Sequence, residues 1–117
     1  MPAEYVPDRG HLVWLTFDPQ AGHEQAGTRP ALVISPARYN RKVGLALFCP
    51  VTSQIKGYPF EVPLPPSLKV QGAILSDQIK SLDWRVRRAR FAGIAPAPVL
   101  EEPIARILAL VDPDESR

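Results

Sequence analysis

Leu45-Ala46-Leu47-Phe48-Cys49-Pro50-Val51 is an almost unbroken apolar run. It reads as a strand, and a strand with so continuous an apolar pattern belongs in the middle of a sheet. Two more strands precede it. One is His11-Leu12-Val13-Trp14-Leu15-Thr16-Phe17, bounded by Gly10 and by Asp18-Pro19; the other is Ala31-Leu32-Val33-Ile34-Ser35, stopped by Pro36. The polar segment Gln20 to Thr28 between them carries Gly22 and Gly27 and is long for a hairpin connection, which marks a functional loop. Residues 37–42 fit one helical turn. Beyond the central run, Phe60-Glu61-Val62 and Gly72-Ala73-Ile74-Leu75-Ser76 read as short extended pieces. Arg85 to Ile94 is expected to be a further strand, with Val86 and Ile94 facing inward and the arginines outward. The chain ends in an amphipathic helix, because Leu100, Ile104, Ile107, Leu108 and Val111 recur as one apolar stripe. That helix begins at Pro103, or it starts from Pro98 and kinks at Pro103.

A length of 117 residues suggests one domain, 1–117, with a modest core. Pairing with a second copy is therefore physically attractive. The 14 prolines disfavour long helices and long central strands. Short strands and a terminal helix together predict a mainly β protein with short helices, a small barrel capped by the helix. Cys49 is the sole cysteine, so no internal disulfide and no Cys-x-x-Cys motif is possible; inside its apolar run it reads as a small buried hydrophobe. No stretch approaches the roughly 20 apolar residues of a membrane span, and the N-terminus lacks the pattern of a signal peptide. A cytoplasmic protein is expected.

The net charge is only +2, but it is unevenly spread. Residues 31–60 contain Arg38, Arg41, Lys42 and Lys56 and no acid; residues 80–95 set Lys80, Arg85, Arg87, Arg88 and Arg90 against Asp83 alone. Concentrated basic blocks in a nearly neutral chain are the footprint of a polyanion binder, although cations also guard exposed strand edges. The inventory for catalysis is short. With two histidines, His11 and His23, and one cysteine, there is no metalloprotease motif, no acidic triplet, no phosphate-cradling glycine loop and no nucleophile elbow. No metal and no cofactor is expected. Chemistry must come from Arg, Glu, Thr, Ser, Asp or a single His. Gly27-Thr28-Arg29-Pro30 feeds the second strand, and Pro50-Val51-Thr52-Ser53-Gln54 ends the third. On the sequence reading, antiparallel pairing need not join these ends, and a closed, curved sheet is required to bring Arg29 near Thr52.

Several blocks, in order, carry a resemblance. They are Tyr5-Val6-Pro7-Asp8-Arg9-Gly10 with Trp14 and Phe17-Asp18-Pro19; Gly22-His23-Glu24-Gln25-Ala26-Gly27-Thr28-Arg29-Pro30-Ala31; Ser35-Pro36 with Tyr39-Asn40; Pro50 to Val62; and Leu75 to Arg85. Across about residues 5–95 the chain resembles the MazF (PemK/Kid-like) toxins, the mRNA interferases of type II toxin–antitoxin systems. The terminal helix matches only in pattern, and Pro103 is a departure. The resemblance implies a dimeric SH3-like barrel of the CcdB/PemK type. It implies sequence-specific, metal-independent cleavage of single-stranded RNA to 2′,3′-cyclic phosphate and 5′-hydroxyl ends, arresting translation and growth, and neutralisation by a MazE-like antitoxin whose acidic tail mimics RNA. In such chemistry the ribose 2′-hydroxyl is the nucleophile, so the protein supplies a base, an acid and cationic stabilisation.

Arg29 is the leading catalytic candidate: its fork holds two phosphate oxygens and stays charged. Thr52 is placed to bind a phosphate oxygen or to orient the 2′-hydroxyl. Glu24 is a candidate base or a reader of exocyclic amines. His23 has a suitable pKa, but the resemblance gives it no role. For RNA binding the candidates are Phe17 as a stacking ring, Ser53, Lys56 and Lys80 toward phosphates, and Asp77 and Gln78 toward base edges. In the PemK/Kid branch an arginine stands two residues before the aspartate; here Leu75 stands there, so that branch's acid–base pair does not carry over to Asp77. Trp14 and Trp84 read as core or dimer-interface residues. Two other readings share the basic surface: a non-catalytic CcdB-like toxin and an SH3-like RNA-binding module without chemistry.

Overall fold

The computed structural model describes residues 4–16 and 27–115. The described strands are β1 (His11–Thr16), β2 (Thr28–Val33), β3 (Ala46–Thr52), β4 (Glu61–Pro63), β5 (Ala73–Leu75), β6 (Lys80–Leu82) and β7 (Arg90–Ile94); the helices are α1 (Ala37–Val43) and α2 (Ala97–Val111). A 3-10 turn, Ser76–Gln78, joins β5 to β6. All seven strands belong to one antiparallel sheet in the order β4-β5-β3-β2-β1-β7, with β6 beside β3. The ladder does not close, since β4 and β7 lie at opposite ends of the path. The mainly β architecture with a C-terminal helix matches the sequence expectation.

β3 is central because both its edges are used along their length. One edge pairs with β2; the other is shared, β6 taking Ala46 to Phe48 and β5 taking Val51 and Thr52. Its uniform apolar sequence follows from burial on both faces. Cys49 and Val51 point into one core with Leu12, Leu32 and Ile74, while Ala46 and Phe48 point into another with Val13, Leu15 and Val33. A strand sandwiched in this way has no polar face to display, so the period of two vanishes from the sequence. Helix α2 lays Val99, Leu100 and Ile107 on the first core; Trp84, Tyr5 and Val6 cover the second. The Trp84 Nε1–H donates to the Asn40 carbonyl at 3.1 Å. Buried Asn40 in turn donates to the Pro7 and Ser35 carbonyls at 2.7 and 3.0 Å and accepts from the Ser35 hydroxyl at 2.6 Å.

The strand expected from Arg85 and part of the expected helix stripe are corrected. The stretch from Arg85 is not continuous strand. Asp83 Oδ1 accepts the N–H groups of Arg85 and Val86, both at 3.0 Å, and curls the chain into a turn before β7 begins at Arg90. Val86 is 74% and Ile94 62% exposed, so neither faces a core. The strand before that turn, β6, is too short and too polar to announce itself. Of the two starts open for the terminal helix the earlier one holds: it begins at Ala97 and runs through Pro103, which is itself buried on the inward face, four residues before Ile107. Leu108 and Val111 of the expected stripe are exposed. No described helix is long and apolar enough to cross a membrane.

Cys49 is buried, as expected, and its Sγ–H faces the Ser76 carbonyl at 3.9 Å. Burial, and secondarily the negative charge of Asp77, pushes the thiol up to about 12. Among the described residues the Ser76 hydroxyl finds no hydrogen-bond partner, although the residue is fully buried. An unsatisfied buried hydroxyl costs about 1–3 kcal/mol. Ser76→Ala is expected to stabilise the protein by about 1 kcal/mol, after allowing for the lost contacts of the oxygen. Equilibrium unfolding in urea checks this; a clear loss of stability would mean that the hydroxyl is bonded.

Candidate active site

Antiparallel geometry alone assembles the centre of the site. The register that sets Ala31 opposite Pro50 and Leu32 opposite Cys49 runs on to set Arg29 level with Thr52. The start of β2 and the end of β3 are the same end of the ladder, so no closure of the sheet is needed; the sequence reading that required it is corrected. Thr52 also lies opposite Ala73 of β5, and Arg29 opposite Leu15 of β1. Side chains directly opposite one another project to the same face. Arg29 and Thr52 therefore share the face of Leu15 and Phe48, and so does Lys80, which lies opposite Phe48.

On this face lies a cleft of about 560 Å³. Arg29 and Pro30 form one wall, Pro50, Val51, Thr52, Ser53 and Gln54 the floor, and Gln71, Leu75, Gln78 and Lys80 the opposite wall. Its described lining holds two cations and no acid. The Gln54 N–H donates to Thr52 Oγ1 at 3.0 Å. That bond uses an oxygen lone pair and leaves the hydroxyl proton to be donated to an anion. Gly72 seats β5 against this floor: a Cβ there would stand 2.2 Å from the Thr52 carbonyl oxygen, at φ +122°. A cleft of about 140 Å³ adjoins the first, sharing Thr52, Gln54, Leu75 and Gln78 and adding Lys56, Tyr58 and Glu61.

Of the sequence-derived candidates, Arg29, Thr52, Ser53, Gln78 and Lys80 meet at the larger cleft, and Lys56 joins at the smaller. Asp77 is exposed on the 3-10 turn and lines neither. Glu24, Phe17 and His23 fall outside the described residues, as does most of the loop expected to be functional. Sequence reasoning missed Gln71 and Glu61 as wall residues. The Gly72 that follows Gln71 was the available signal, since an isolated glycine in a strand-like run marks a close backbone approach. Among the described residues no three His, Cys, Asp or Glu side chains gather as a metal site requires.

An antiparallel sheet that presents arginine, lysine, threonine and glutamine around a cleft with no acid among its described lining residues defines a protein suited to hold a polyanion. The chain belongs to the family of PemK-like, MazF-like toxins of type II toxin–antitoxin systems, whose model matches residues 8–111. It is 48% identical over 111 residues to the endoribonuclease toxin MazF of Escherichia coli K12, covering 95% of this chain and 99% of that one. It is 38% identical to the endoribonuclease toxin ChpB of the same organism, over 90% and 94% of the two chains. In three dimensions it is similar to a chain in the crystal structure of MazE–MazF from Deinococcus radiodurans, with a TM-score of 0.88, 60% identity, and coverage of 92% and 97%.

Proposed function

We propose that this chain is a single-domain, sequence-specific endoribonuclease toxin that cuts single-stranded RNA without a metal or cofactor. The observation that carries the reading is the cleft in which Arg29, Thr52 and Lys80 share one face of the sheet, with no acid among its described lining residues. The kinship with the MazF and ChpB endoribonucleases supports it.

The scissile phosphate lies between Arg29 and Thr52. The ribose 2′-oxygen attacks phosphorus as Glu24 takes the 2′-hydroxyl proton; the bond from phosphorus to the 5′-oxygen breaks as that oxygen takes a proton from a solvent water, and the proton held by Glu24 returns to solvent. The products are a 2′,3′-cyclic phosphate and a 5′-hydroxyl. Charge builds on the equatorial oxygens, where the Arg29 fork and the Thr52 hydroxyl meet it; groups fixed in place before reaction stabilise that charge without reorganising. DNA, lacking the 2′-hydroxyl, binds and survives. Lys80 and Lys56 hold flanking phosphates, Ser53 and Gln78 contact the strand beside them, and Phe17 stacks a base. Asp77 is given a peripheral contact to RNA outside the two clefts.

The protein acts in the cytoplasm as a homodimer. Exposed apolar side chains at Phe91, Ile94, Leu108 and Val111 support burial against a second copy. The same basic cleft suits the acidic tail of a MazE-like antitoxin, which blocks RNA by occupying its place. The test is to incubate the purified, antitoxin-free protein with a long unstructured RNA in excess EDTA and to map the ends. Discrete cuts with 5′-hydroxyl termini are expected. Intact RNA from folded protein would remove the enzymatic reading in favour of a binding module or a CcdB-like poison.

A further inference from the structure

Glu61 is a buried acid, 8% exposed, at the start of β4. Its carboxylate turns back on the preceding loop. The Lys56 N–H donates to both oxygens, at 3.1 Å each, and the Gly57 N–H donates to Oε1 at 2.7 Å. Gly57 sits at φ +84°, the left-handed conformation that lets two successive N–H groups converge on one acceptor. The loop closes behind it through the Glu61 N–H to the Tyr58 carbonyl at 3.0 Å, and β4 is tied to the 3-10 turn by the Ser76 N–H to the Phe60 carbonyl, also 3.0 Å. Gln54 and Lys56 on this loop and Gln78 on that turn are wall residues of the smaller cleft, which Glu61 also lines.

We infer that Glu61 is a positioning residue for RNA: its carboxylate fixes the 54–58 loop so that Lys56 stands ready for a phosphate next to the scissile one. The inference rests on the endoribonuclease reading. A carboxylate bonded to backbone N–H groups is an acceptor that no neutral side chain of the same shape reproduces. Glu61→Gln leaves Oε1 to accept from the Gly57 N–H, removes the negative charge, and sets an NH₂ group in place of Oε2 against the Lys56 N–H. The loop's anchor is thereby weakened while β4 keeps its ladder. Lys56 would hold a phosphate equally in ground and transition states, so its misplacement is read in KM and not in kcat.

The experiment uses the intact protein and an RNA oligonucleotide containing the mapped cleavage site, with a copy bearing 2′-deoxyribose at the cut for binding. For Glu61→Gln, KM is expected to rise about tenfold with kcat within about twofold. The slope of log affinity against log salt should flatten by about 0.7, the signature of one lost phosphate contact on a single strand. Lys56→Ala should show the same changes, and the double variant should be no worse than either single one. Gly57→Ala attacks the same loop from its other side, at a position where a Cβ meets no atom within 4 Å; it should reproduce the phenotype and covers the case in which Glu61→Gln fails to fold. Additive losses in the double variant, or an unchanged KM and salt slope in folded Glu61→Gln and Gly57→Ala, would overturn the inference alone. A wild-type protein that does not cut would overturn the reading on which it rests as well.

Discussion

Arg29→Ala is expected to slow cleavage by about 100- to 1,000-fold while leaving the fold intact and most RNA affinity in place. The size is that of removing one preorganised charge-stabilising group from an active site. The separation of rate from affinity follows from the geometry. Lys80 remains on the same face of the cleft and Lys56 on the adjoining one, so the strand still finds cations. The loss falls on the transition state, since among the described lining residues of the cleft only Arg29 carries a planar fork. Arg29→Lys should recover only part of the rate, because an ammonium keeps the charge but not the bidentate geometry. Single-turnover cleavage, paired with binding to the 2′-deoxy oligonucleotide, checks both halves. An Arg29→Ala protein that cuts at the wild-type rate would remove this mechanism and leave the family membership untouched.

What could be read in the chain, and what could not, divides by the range of the interactions. β1 and β3 were legible because burial on both faces leaves its mark directly on composition: Leu12 and Val13, adjacent in sequence, fill opposite cores. The turn after β6 was not legible as such, since its cause is one carboxylate, Asp83, satisfying two N–H groups, and the arginines behind it fit a strand pattern equally well. Pro103 left the start of α2 open, because a proline on the buried face of a helix reads equally as its first residue and as part of the packed surface. In the candidate site, Arg29 and Thr52 stood out through the family resemblance and not through spacing alone. Their adjacency needed only the register of β2 on β3. Glu61 was invisible as a wall residue, for its role depends on a left-handed turn at Gly57 that no spacing announces.

Gly72→Ala should damage both stability and activity, which sets it apart from Arg29→Ala. At φ +122° an alanine is already strained, and its Cβ would meet the Thr52 carbonyl oxygen at 2.2 Å and the carbonyl carbon at 3.0 Å. Both atoms are backbone of the central strand, so neither can swing aside as a side chain tip does. Relief requires β5 to move off β3, which strains the Val51–Ile74 and Thr52–Ala73 pairs, or the loop to lift and lose the Leu64 N–H to Gly72 carbonyl bond of 2.8 Å. A cost of about 3–5 kcal/mol is expected, about 1–3 kcal/mol of backbone strain adding to a similar cost for the overlap with β3. That corresponds to a fall in Tm of about 10 °C or more for a chain of this size. The molecules that remain folded should also cut more slowly, since the displaced backbone carries Thr52 and its bond from Gln54 with it. Thermal unfolding and cleavage rates normalised to the folded fraction separate the two effects. A loss below about 1 kcal/mol with full normalised activity would mean that β5 yields freely, and that the floor of the cleft does not depend on the close approach of Gly72 to Thr52.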